Sequence, residues 1–126
     1  MAKSFKIAIN PTFTAVVDIP RIGADPIAVK FTFKAMNRVQ LAKLFTKWTA
    51  AQQKLVDEGA DFTLQDWAEK EIDMQVEQLK DIVVGWGFED EFNDENIEAL
   101  VSTLIDVTST ITDCYGEAYA RARRGN

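Results

Sequence analysis

The chain has 126 residues, an apolar fraction of 47% and a formal net charge of −6, the length of one domain with its own core and a composition unlike that of a disordered chain. Histidine is absent and cysteine occurs once, at Cys114, which excludes an intrachain disulfide and fits a reducing compartment. No apolar stretch is long enough to cross a bilayer, and the opening MAKSFKIAIN lacks the sustained apolar segment of a signal peptide, so a cytosolic protein is expected.

The first third reads as β structure. Ser4–Ile9 suits a short strand or an arm. Thr12–Pro20 alternates, with Phe13, Ala15, Val17 and Ile19 on one face. Pro26–Met36 alternates as well, with Ile27, Val29, Phe31 and Phe33 on one side and Lys30, Thr32 and Lys34 on the other. Between them RIGAD, flanked by Pro20 and Pro26, predicts a hairpin loop of five residues or slightly more. Such a sheet has one apolar face and needs a cover.

Helices supply it. Asn37 suits an N-cap, with Gln40 three residues on, and Leu41, Leu44, Phe45, Trp48 and Leu55 recur at helical spacing until Gly59. Thr63 caps a second helix whose stripe is Leu64, Ala68, Ile72, Val76, Leu79 and Val83, with Trp67 at its edge and Gly85 and Gly87 marking its end. A third helix opens at Asn93 or Asp94 and turns Ile97, Leu100, Val101 and Leu104 to one side. The β-branched run Val107–Thr112 argues for a break near Asp106, before a last helix carrying Ile111, Tyr115, Ala118, Tyr119 and Ala122. The expected fold is α+β and a single domain over 1–126. A β-hairpin region of two or three antiparallel strands (1–36) precedes a region of three or four helices packed on it (37–126).

Charge is unevenly distributed. Residues 1–54 hold nine Lys/Arg against two acids, residues 55–98 hold two against fifteen, and residues 99–126 hold three of each. Two readings follow. The charges are solvated faces of parts that fold together, or the basic part of one copy meets the acidic part of the next in a head-to-tail contact. Nucleic acid is a poor partner for a chain this acidic.

The sequence offers no chemistry to a catalytic reading. Without histidine the commonest general base and transition-metal ligand are missing, and Cys114, mid-helix beside Tyr115, reads as a core thiol. GWG is no phosphate loop. A calcium loop begun at Asp90 would put Phe92 at its third position and Glu95 where glycine is required. The carboxylates Glu69, Glu71, Asp73, Glu77 and Asp81 read as a solvated helix face. Neither cofactor nor metal is expected, and the protein is expected to act by binding. Trp86 between Gly85 and Gly87 reads as a structural junction in which the indole plugs the core and the glycines allow the reversal; a recognition aromatic is the other option. Trp48 and Trp67 read as core or edge of core.

The order of these pieces carries a resemblance. KFTFKAMNRVQLAKL, an acidic helix, DIVVGWGFEDEFNDENIEALVSTL and the closing ITDCYGEAYARARRGN resemble, over Pro26 to Asn126, the tail assembly chaperones of long-tailed bacteriophages. Phe31 and Phe33 before a helix, Trp86 after an apolar helix end, and ENIEAL carry most of it. The resemblance implies a non-enzymatic protein of the infected host's cytoplasm. It implies binding of the tape measure protein, which stays soluble while tail tube subunits, a second partner, polymerise around it, and absence from the finished virion. Neither nucleic acid nor a membrane is expected as a partner. It also implies a homo-oligomer, which favours head-to-tail contact between a basic side (Lys30, Lys34, Arg38, Lys43 and Lys47) and an acidic side (Glu69, Asp73 and Glu77). A small structural tail or connector protein is the alternative, and an acidic DNA mimic is a more distant one.

Overall fold

The computed structural model describes residues 11–124, the side chains of 123 and 124 excepted. The order is β1 (Thr12–Arg21), β2 (Ala24–Lys34), α1 (Arg38–Glu58), a 3-10 turn (Gly59–Asp61), α2 (Leu64–Ile82), β3 (Val83–Trp86), α3 (Asp94–Thr103) and α4 (Val107–Arg124). The expected α+β architecture of hairpin and helices is present, with a third strand entering from the middle of the chain. The expected strand or arm at Ser4–Ile9 lies outside the described residues.

β1 and β2 pair antiparallel from Thr12 opposite Lys34 to Ile19 opposite Ile27, and the register shifts before Arg21 meets Ala24. The strands therefore run further than Pro20 and Pro26 suggest, and the five-residue loop contracts to Ile22 and Gly23. Gly23 sits at φ 74°, the left-handed conformation that a two-residue turn requires and glycine adopts without steric cost. Pro20 and Pro26 are tolerated inside β1 and β2 beside the register shift and near the turn, where ladder bonding is already interrupted.

α2 ends at Ile82, three residues earlier than the two glycines imply. Val83 and Val84 are β-branched, and Val83–Trp86 pairs with β2, Phe31 opposite Trp86 and Phe33 opposite Val83. β2 thus becomes the central strand of the order β1-β2-β3. Gly85, expected to end the helix, lies inside β3 opposite Thr32.

The inner face of the sheet buries Val17, Ile19, Val29, Phe31, Phe33 and Val83 against Leu79 and Ile82 of α2, Ile97 and Val101 of α3, and Val107, Ile111 and Tyr115 of α4. Each burial of this kind contributes about 1.5–3 kcal/mol of transfer free energy. Both anticipated caps form. Asn37 accepts from the Gln40 amide while the Gln40 side chain accepts from the Asn37 amide, and Thr63 and Asp66 repeat the arrangement. Asn93 caps α3 by accepting from Asn96. The break near Asp106 is real: α3 stops at Thr103 and α4 begins at Val107.

α1 and α2 form an antiparallel hairpin, with Lys47 beside Asp81 near one end and Gly59 against Trp67 at the other. A methyl group at Gly59 would collide with the Trp67 ring, so glycine is required there by packing; its φ is an ordinary −84°. Leu64 and Ala68, expected in the buried stripe of α2, are exposed, and within that stripe burial begins at Ile72.

Two tyrosine hydroxyls tie the β2–α1 junction to α4. Tyr115 donates to the Lys34 carbonyl at 2.9 Å, Met36 N–H donates to the Tyr119 hydroxyl at 2.8 Å, and the two hydroxyls lie 3.2 Å apart. With the Tyr115 proton committed to Lys34, the Tyr119 proton fills the remaining gap. Burial, then the neighbouring Tyr119, pushes the Tyr115 phenol far above its usual range. A raised folded-state pKa means that this contribution to stability is complete below the unfolded value of about 10 and is lost at higher pH. In an alkaline absorbance titration, Tyr115 is therefore expected to ionise only together with loss of the circular dichroism signal. Ionisation well before unfolding would contradict this.

Candidate functional site

Four regions of the surface combine shape with chemistry. The first is the groove between α1 and α2, about 400 Å³, floored by Trp48, Leu55 and Met74 and rimmed by Lys47, Lys54, Lys70, Asp73, Glu77 and Asp81. Asp81 is its anchor. Its carboxylate accepts from Lys47 Nζ at 2.8 and 3.0 Å and from Trp48 Nε1 at 2.9 Å, and its side chain is only 19% exposed. The expectation of a solvated Asp81 is corrected here: one residue before the end of α2, the carboxylate turns toward α1 and meets two donors.

The second region is basic. Lys30 and Lys34 stand exposed on the outer face of β2, whose alternate residues Phe31 and Phe33 are buried, and Lys30 lies opposite the exposed Val16. Arg38 and Lys43 flank Val39, Ala42 and Thr46 on an open side of α1. None of these four cations has a carboxylate partner among the described residues. Lys47, grouped with them from sequence, is instead paired with Asp81 inside the same molecule. Within one copy it shares a groove with Asp73 and Glu77. Glu69 lies apart, accepting from Gln65 at 3.1 Å. Glu77 also faces Lys80, whose ammonium bonds Asp94 at 3.3 Å and is held above its usual pKa, first by that hydrogen bond and then by the charges of Asp94 and Glu77.

The third is the aromatic corner at the end of β3. Trp86 is half-buried, its ring edge-on to Phe31, Phe88 and Phe92 at centroid distances of 6.3, 5.1 and 5.0 Å. Its Nε1–H donates to the Asp90 carbonyl at 2.8 Å and closes the acidic loop on itself. Gly87 N–H donates to the Lys30 carbonyl at 2.8 Å, and a Cβ there would lie 3.3 Å from that oxygen, so glycine lets the chain leave along the strand.

The fourth region was not legible as a surface in the sequence. Ile22, Leu64 and Ile105 are 88%, 89% and 85% exposed, and they border two adjoining hollows of about 210 and 350 Å³. Leu64 had been expected in the core. The available signal was an isoleucine in each of two connecting segments, the β1–β2 turn and the α3–α4 link.

Cys114 is half-buried, not fully in the core. Its Sγ lies 3.7 Å from the Val16 carbonyl oxygen, and burial raises the thiol pKa, which suits an inert thiol. Among the described residues, no group of three or more His, Cys, Asp or Glu side chains could hold a metal ion. No helix among the described residues is long and apolar enough to cross a membrane.

The arrangement is therefore one of open grooves and exposed faces, suited to contact with other chains. No curated protein and no solved structure matches the chain. The family model described as phage tail assembly chaperone, however, matches it along its whole length, residues 1–126, well beyond the Pro26–Asn126 span of the sequence resemblance, and the chain belongs to that family.

Proposed function

We propose that this chaperone binds the tape measure protein of its phage and keeps it soluble while the tail tube forms around it. It then leaves before the particle is complete. It acts without catalysis in the cytoplasm of the infected host, and the tail tube protein is its second partner. The observation that carries this reading is membership of the tail assembly chaperone family over all 126 residues. The surface is compatible with it: exposed apolar side chains are available for an insoluble partner, and a net charge of −6 opposes precipitation.

Copies associate head to tail along the partner in this proposal. Lys30, Lys34, Arg38 and Lys43 form the basic contribution, and Glu69, with Asp73 and Glu77, the acidic one. Lys47 contributes least, because Asp81 of its own chain already engages it.

The test is co-expression of the tagged protein with the tape measure protein of the same phage, followed by mass spectrometry of purified particles. The expected result is a soluble complex holding many copies of the chaperone and particles that lack it. Retention in particles at stoichiometric level would instead indicate a structural tail protein. Sedimentation of the same preparation should show assemblies that shrink as salt rises; a lone monomer at low salt sinks the head-to-tail contact.

A further inference from the structure

Three distant parts of the chain each leave a large aliphatic side chain almost fully in solvent at one end of the molecule. None is required there by local structure. The β1–β2 turn needs its glycine but not Ile22, and turns of this kind favour polar residues. The start of α2 is capped by Thr63 and Asp66 without help from Leu64. Ile105 links α3 and α4 outside the core. Single exposed aliphatics need no explanation, but a contiguous group does. Here Ile105 borders both hollows, one shared with Ile22 and the other with Leu64, Trp67 and Ile72.

We infer that this apolar end is the docking surface for the tape measure protein, and that it takes an amphipathic helix with an apolar face and basic flanks. The inference rests on the functional reading above. Shape favours a helix: Leu64, Ala68 and Ile72 lie along one wall at intervals of four residues, a span of about 12 Å, which matches two turns of a guest helix laid alongside. Charge selects its flanks. The rim carries Glu71 and Asp106 against Arg21 alone, and the wall belongs to the segment 55–98, which holds fifteen acids and two lysines. The same acidic rim disfavours a second copy as occupant, since two such ends brought together would oppose like charges.

The test uses the full chain carrying Leu64→Glu and Ile105→Glu together, with Val56→Glu on α1 as the control, an exposed aliphatic that lines neither hollow and lies outside the proposed basic contact. Glutamate at 64 occupies the first turn of α2, where negative charge is favourable, so the variant is expected to keep its melting curve. On co-expression with the tape measure protein, the double variant should yield at least tenfold less soluble complex than the wild type, while Val56→Glu should match the wild type. Equal yields from the double variant, or an equal loss from Val56→Glu, would overturn the assignment. If the double variant becomes monomeric but still solubilises the partner, the occupant is a second copy and the inference fails. A wild-type protein that leaves the tape measure protein insoluble overturns the functional reading itself, and this occupant with it.

Discussion

Phe31→Ala is expected to remove about 3–5 kcal/mol of stability, the range for deleting a buried aromatic ring. Phe31 is fully buried on the central strand, with Ala15 of β1 on one side and Trp86 of β3 on the other. Its ring lies 6.0 Å from Phe33, 6.3 Å from Trp86 and 5.9 Å from Phe88, centroid to centroid. Alanine would leave a cavity bounded by three aromatic rings, two of which hold the short third strand and the loop after it. Against a total stability of about 5–15 kcal/mol for a domain of ordinary size, that loss is large. Urea unfolding of the variant, with Phe31→Leu as a partial deletion costing about 1–2 kcal/mol, measures it. A cost below about 1 kcal/mol for alanine would mean that the ring is not packed as described.

The second large effect is at Asp81, and its signature is local. Asp81→Ala removes the acceptor for Trp48 Nε1 and for Lys47 at once, on a helix pair that also shares the groove residues Leu55 and Met74 and the Gly59–Trp67 contact. A hydrogen bond to a charged group contributes about 1.5–3 kcal/mol. The Lys47 pair adds less than about 1 kcal/mol, because the lysine is largely in solvent. A total of about 2–3 kcal/mol is expected, most of it from the tryptophan. Hydrogen exchange should show α1 amides losing protection before those of β2 and α4. A double-mutant cycle with Trp48→Phe should return most of the coupling. Uniform loss of protection across the chain would show that α1 does not open separately. The consequence reaches function, because Arg38 and Lys43, half of the proposed basic contact, are carried by α1.

Much of this fold was legible locally. The alternation Phe13, Ala15, Val17, Ile19 marks the inward face of β1, and Asn37 with Gln40 marks the start of α1, because strand facing and helix capping involve residues two to four positions apart. The acid at position 66 completes the Thr63 cap for the same reason. The candidate surfaces were legible only as composition: a basic beginning and an acidic middle, without which cations would be free. Lys47 reads like Lys43 in sequence, yet one is paired across the α1–α2 groove and the other has no carboxylate partner among the described residues.

What the sequence by itself determined was the hairpin, the helix starts, the break near Asp106 and the absence of histidine chemistry. Each depends on composition or on neighbours within a turn or a strand pair. Tertiary structure decided the rest. Val83–Trp86 became a strand only because β2, some fifty residues earlier, offered an unpaired edge. Asp81 became an anchor only because α1 folded back beside it. Leu64 stayed 89% exposed although its spacing matches the buried stripe of α2. These outcomes depend on which distant surface packs there and how far it reaches, and that information is held by the packed chain, not by any local run of residues.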